Sequence, residues 1–189
     1  MNVSAVLKAI ESAAPREGLP IIGPKKGEIL DQVVRDHTPT RALEIGTLVG
    51  YSAIRIARLL PDEGVLTCVE LDVDMAARAR SNLAKAGLSA RVQVVVGDAK
   101  DVLRRLRESV DFVLVDAKKD EYMEYMRACE PLLHAGTVVV ADNVKVFADQ
   151  VADYLHYVRN SGKFTSSTIE VPLNADDSVS DAMEISVRL

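Results

Sequence analysis

The sequence predicts an α/β fold: a mostly parallel sheet of seven strands, helices on both of its faces, and a C-terminal antiparallel hairpin. Three observations predict it. From Arg41 onward, strand-like and helix-like segments alternate, the rhythm of βα units wound around a parallel sheet. Several strand candidates are continuous apolar runs, Val92-Gln-Val-Val-Val, Phe112-Val-Leu-Val and Val138-Val-Val-Ala, which suits strands covered on both faces. Beyond position 160 two strand-like stretches follow each other with no helix between them, as two antiparallel strands joined by a turn do.

Taken in order, residues 3–14 predict an amphipathic helix, with Val3, Val6, Leu7 and Ile10 on one face at helical spacing. Residues 15–27 carry Pro15, Gly18, Pro20, Gly23, Pro24 and Gly27 and read as a loop, either a lid or a plain connector. A second helix turns Ile29, Leu30, Val33 and Val34 inward and stops before Pro39, since proline disfavours helical dihedrals in the residue before it. Strands are expected at 41–45, 65–70, 92–96, 111–115 and 137–141, with helices starting near Gly50, Asp74, Asp98 and Asp120 and another over about 147–160. The last two strands are 164–173 and 182–189. In the second, Met183, Ile185, Val187 and Leu189 alternate with Ala182, Glu184, Ser186 and Arg188, the pattern of a strand with one buried face. The whole of 1–189 reads as one domain, with N-terminal helices and loop over 1–40 and the core over 41–189.

The 189 residues are 48% hydrophobic and 27% charged, enough for one full core. A net charge of -5 argues against a nucleic-acid surface, which needs a basic face. No apolar run reaches the length of a membrane span and the N-terminus lacks a signal-peptide core. Cys68 and Cys129 form no C-x-x-C pair and read as buried thiols of a cytoplasmic protein. His37, His134 and His156 fall in no zinc-ligand spacing.

Arg41-Ala-Leu-Glu-Ile-Gly-Thr-Leu-Val-Gly-Tyr-Ser-Ala joins a buried strand to a helix through Gly46 and Gly50. Such a turn lets a ligand approach the backbone and ends at free helix N–H groups. Glu70 closes the next strand, where a carboxylate can accept both ribose hydroxyls. The glycines read G-x-x-x-G, so the spacing does not name a cofactor. Glu44 inside the strand is costly unless it meets a donor or a cation. The amino group and sulfonium of S-adenosylmethionine are one candidate partner; a packing turn with a solvated glutamate is the alternative. Asp98, after the third strand, can cap the next helix or accept from an adenine amino group, or both. Asp116 ends the fourth strand, and Asp142 and Asn143 end the fifth. The fold puts these on one rim, and two carboxylates with an amide oxygen are hard ligands suited to Mg²⁺.

Gly23-Pro-Lys-Lys-Gly, Leu43-Glu-Ile-Gly-Thr-Leu-Val-Gly-Tyr-Ser-Ala, Ala57-Arg-Leu-Leu, Asp116-x-x-Lys119 and Ala141-Asp-Asn-Val resemble the catechol O-methyltransferases from about residue 5 to the C-terminus. The element order is similar to the Rossmann-like sheet of class I methyltransferases. The resemblance implies that Glu44, Gly46 and Ser52 hold the methionine part of S-adenosylmethionine. It places Glu70 on the ribose, and Leu71, Asp98 and Ala99 around the adenine, with Asp116 touching the cofactor as well. It implies Asp116, Asp142 and Asn143 as Mg²⁺ ligands. Lys119 becomes the acceptor of the substrate proton, and Asn143 and Asn174 substrate contacts.

The implied mechanism is coherent. Chelation of two vicinal oxygens by Mg²⁺ favours a phenolate, Lys119 takes the proton as a neutral amine, and the oxyanion attacks the methyl carbon in line with sulfur.

There are departures. Ala117 and Lys118 stand where those enzymes carry a histidine and a tryptophan, so Asp116-Ala-x-Lys119-x-x-Tyr122 is similar to the caffeoyl-coenzyme A and bacterial cation-dependent branch. The chain has no tryptophan, Phe147 stands near the gatekeeper proline, and Asn174 falls at the catechol-binding glutamate. The expected function is therefore Mg²⁺-dependent O-methylation of a small catechol or phenol by a monomer or homodimer. Methylation of a hydroxylated tRNA base, or cofactor binding without catalysis, are the alternatives.

Overall fold

The computed structural model describes residues 2–173 and 178–189. Seven strands form one sheet: β1 (Arg41–Ile45), β2 (Val65–Glu70), β3 (Val92–Val96), β4 (Val110–Val115), β5 (Leu133–Ala141), β6 (Phe164–Pro172) and β7 (Ser180–Arg188). Their order is β3-β2-β1-β4-β5-β7-β6. The first five run parallel, and β7 lies antiparallel between β5 and β6. The helices are α1 (Val3–Glu17), α2 (Gly23–His37), α3 (Tyr51–Ala57), α4 (Val73–Lys85), α5 (Ala99–Arg105), α6 (Tyr122–Cys129) and α7 (Ala152–Asn160). They cover two cores, one on each sheet face. Leu66, Phe112 and Leu114 point to α1–α4, while Leu43, Val113 and Val139 point to α5–α7.

The predicted mixed sheet with its antiparallel hairpin is present, and four local expectations are corrected. The N-terminal loop is shorter than 15–27, because α1 continues through Pro15 to Glu17 and α2 begins at Gly23. Gly18 at φ +64° ends α1, and Leu19 N–H closes on Ala14 O at 3.0 Å, a glycine C-terminal cap that satisfies an orphan carbonyl. Strand β3 is at the sheet edge, so Gln93 and Val96 are exposed and the run is not covered on both faces. Helix α7 starts at Ala152, not 147, because residues 144–150 follow Asn143 at φ +61° as consecutive turns. Strand β7 does not have one buried face: Ala182, Glu184 and Ser186 are buried while Leu189 is exposed. An interior strand has neighbours on both sides and cover on both faces, and Glu184 meets that environment by accepting from Arg159 Nε and Nη2 at 2.7 and 2.8 Å.

The parallel strands all end at one rim. Between β1 and β4 the chain reverses its direction of travel across the sheet, which opens a crevice beyond the strand ends.

Candidate active site

At that rim lies a cavity of about 680 Å³, within the range of small-molecule sites. Its first wall is the turn after β1. Gly46 takes φ +91°, and a Cβ there would sit 2.3 Å from Asp116 O, so only glycine lets β1 and β4 release their chains side by side. Gly50 at φ +84° leads into α3. Glu70 at the end of β2 accepts from Thr47 N–H at 3.0 Å, Leu48 N–H at 2.7 Å and Asp72 N–H at 2.9 Å. It therefore holds the glycine turn as well as facing the cavity. Leu71, Ser52 and Ala99 line the same half. Asp98 lines it too while capping α5, its side chain accepting from Lys100 N–H at 2.8 Å, so the capping expectation holds.

Glu44 lies behind this wall, fully buried. Oε2 accepts from Thr47 Oγ1 at 2.9 Å. Burial pushes its carboxyl up to about 7 against the hydrogen bonds from Ser52, Cys68 and Thr47. Of these groups Ser52 and Thr47 line the cavity, and Glu44 does not. Cys68 and Cys129 are free and buried, as expected.

The second half is built by β4, β5 and α6. Lys119 Nζ donates to Asp116 Oδ1 at 2.7 Å and to Tyr122 Oη at 2.9 Å. Tyr122 Oη in turn donates to Asp142 O at 3.0 Å, so a buried phenol fixes both the lysine and the end of β5. Lys118, by contrast, is exposed and pairs with Asp120 and Glu121. Asp116, Asp142 and Asn143 line the cavity together with Lys119 and Phe147. Burial raises the Asp116 carboxyl to about 6, with Lys119 pulling it down and Asp142 pushing it further up. Asp142 is likewise raised by burial, opposed by Lys26. Its Oδ1 makes no directed hydrogen bond although Lys26 Nζ stands 2.6 Å away.

Two neighbouring carboxylates that are both costly to ionise fit a divalent cation. Among the described residues no three His, Cys, Asp or Glu side chains gather as a metal cluster. The donors on offer are two carboxylates and an amide oxygen, a hard set. Asn174 lies outside the described residues.

Sequence reasoning missed Lys26 and Asp181, which meet at 2.6 Å beside the metal-site candidates and border the same cavity. Lys26 stands in the Gly23-Pro-Lys-Lys-Gly stretch without an assigned role. Asp181 did leave a signal, a charged residue on the strand face that also carries Met183 and Ile185.

Comparison with known proteins identifies the family. An O-methyltransferase family model matches residues 4–185. Catechol O-methyltransferase B of Danio rerio is 42% identical over 171 residues, 86% of this chain and 64% of the relative. Catechol O-methyltransferase of Sus scrofa is 41% identical over 150 residues, 76% of this chain and 80% of the relative. The chain spans 64, 63 and 62% of the length of the Danio rerio, Mus musculus and Bos taurus relatives. Among solved structures, an O-methyltransferase from Bacillus cereus in complex with SAH matches with a TM-score of 0.87 at 26% identity, over 98% of this chain and 91% of that one. TomG, an O-methyltransferase from Streptomyces achromogenes in complex with SAM, matches at 0.86 and 29%, over 97 and 89%. With a glycine turn, a strand-end carboxylate and a match over nearly its full length, the chain belongs to the O-methyltransferase family.

Proposed function

We propose that this chain is a divalent-cation-dependent O-methyltransferase that moves the methyl group of S-adenosylmethionine to one hydroxyl of a catechol-like small molecule. The observation that carries the reading is the meeting of Asp116, Asp142, Asn143 and Lys119 on one wall of the cavity that the Gly46 turn opens. Likeness to catechol O-methyltransferases and to structures holding SAH and SAM supports it.

Asp116, Asp142 and Asn143 would hold Mg²⁺, which when bound supplies Lewis-acid stabilisation of a phenolate. The half lined by Ser52, Glu70 and Asp98 would hold S-adenosylmethionine, with Glu70 on the ribose and the Glu44 carboxylate, buried behind that wall, as counter-charge to the cationic end. Lys119 Nζ receives the phenol proton. Tyr122 and Asp116 hold that nitrogen at the cavity wall, and general-base groups so placed are worth about 10²–10⁴ in rate. Phe147 and Leu173 bring apolar surface for an aromatic ring, and exclusion of water there strengthens every charge interaction.

The test is methyl transfer to dihydroxybenzoate and, in parallel, to bulk tRNA, with Mg²⁺ and with EDTA. Turnover of the catechol with Mg²⁺ and its loss in EDTA are expected. Activity on tRNA alone would move the substrate class, and full activity in chelator would sink the metal assignment.

A further inference from the structure

Asp181 is 1% exposed on β7, and its two oxygens divide their work. Oδ1 accepts from the backbone N–H groups of Val146 and Lys145 at 3.0 and 3.3 Å. Oδ2 accepts from Lys26 Nζ at 2.6 Å and from Asn143 Nδ2 at 2.7 Å. Paired with an ammonium, this carboxylate only accepts, so the amide face of Asn143 turned toward it must be the nitrogen. The amide is planar, and its oxygen is therefore committed to the opposite side.

The same contacts bind the loop that presents it. Asn143 holds φ +61°, a conformation unusual for a non-glycine residue, and Asp181 clamps the two residues after next through their N–H groups. Val144 N–H closes on Ala182 O at 3.0 Å. Lys26 spans the two carboxylates, standing 2.6 Å from Asp142 Oδ1 as well.

We propose that Asp181 is a positioning residue for cation binding: it fixes which atom of Asn143 is offered as a ligand, and Lys26 braces Asp181 and Asp142 against each other. This rests on the reading of Asp116, Asp142 and Asn143 as ligands. Partners of this kind, one step behind the ligands, typically change metal affinity by about 10–100-fold when removed.

The experiment is Mn²⁺ binding, followed by the loss of the free-ion paramagnetic resonance signal, with SAH affinity measured by calorimetry in chelator as a control. Asp181→Ala leaves Lys26 paired with Asp142, so it strands no buried charge; it should weaken Mn²⁺ binding about 10–100-fold while SAH affinity holds. The second variant does not depend on that one folding. Asn143→Asp offers the ion a stronger ligand, yet it sets a carboxylate against Asp181; it should bind Mn²⁺ more weakly than wild type. The exchange Asn143→Asp with Asp181→Asn should recover most of the loss, since the donor then comes from the other side. Asn143→Asp binding Mn²⁺ more tightly than wild type, or Asp181→Ala binding it equally well, overturns the positioning role alone. Wild type that binds no Mn²⁺ overturns the ligand assignment and this role with it.

Discussion

Glu44→Gln should make the ligand-free protein more stable at alkaline pH while weakening its grip on the cofactor. Glu44 is fully buried, and burial lifts its carboxyl from 4.5 to about 7 against the hydrogen bonds it accepts. A carboxyl whose pKa is higher folded than unfolded binds its proton more tightly in the folded state. Its contribution is thus undiminished below about 4.5, declines through the window up to about 7, and stays reduced above that. That gap, at about 1.4 kcal/mol per pH unit, amounts to roughly 3 kcal/mol. Glutamine keeps the shape and can still accept from Thr47 Oγ1, but it adds an NH₂ lacking a partner, which takes back about 1 kcal/mol. The net gain near pH 8 is ~2 kcal/mol, or about 4–8 °C in Tm for a chain of this size; near pH 5 the variant should match wild type or fall slightly below it. Melts followed by circular dichroism at the two pH values, without cofactor, measure the difference. Calorimetry with S-adenosylmethionine should show affinity reduced about ten-fold or more, the value of a charged hydrogen bond. A Tm difference that is the same at both pH values, together with unchanged affinity, would refute the assignment of a strained carboxylate kept for a ligand.

Three further outcomes are expected. Lys119→Ala should cut turnover by about 10²–10⁴ with cofactor affinity nearly constant, and Lys118→Ala, removing an exposed neighbour, should leave both unchanged. Gly46→Ala places a Cβ 2.3 Å from Asp116 O at φ +91°, so the β1 and β4 ends must separate; cofactor binding should be lost, and an intact calorimetric isotherm would contradict the close approach. Arg159→Ala strips the buried Glu184 of its cation; urea unfolding should show a loss of about 2–3 kcal/mol, less than for a fully buried pair because the arginine is half exposed.

The parallel half of the fold was legible because its signals are local. Apolar runs such as Val138-Val-Val-Ala, breakers and, at α5, the capping Asp98 announce the βα units without knowledge of the neighbours. The antiparallel half was less so, because β7 lies between β5 and β6 and lateral position leaves no mark on a strand's own period. Glu184 and Ser186 therefore read as the solvent face although β7 is interior. The same limit explains the site. Asp116, Asp142 and Asn143 follow strands, and parallel strand ends are known to share a rim. Lys26 and Asp181 are 155 residues apart, one on the first turn of a helix and the other at the start of a hairpin strand, and nothing along the chain relates them.

The brace at Lys26 also decides how the entrance can move. Helix α2 is bolted at its first turn by an ammonium held between two carboxylates, and at mid-length by Asp31 to Arg55 Nη2 at 2.9 Å. Swinging the helix outward would break these ion pairs and expose buried charge, so it behaves as part of the frame. The Gly18–Ile22 link ahead of it brings Pro20, Ile21 and Ile22 to the cavity wall, with Leu19, Ile21 and Ile22 packed on the core. Its ends, Gly18 and Gly23, both hold positive φ and have open space around them. The entrance is thus walled by a link tied down at both ends, by the cap that closes α1 and by the braced first turn of α2.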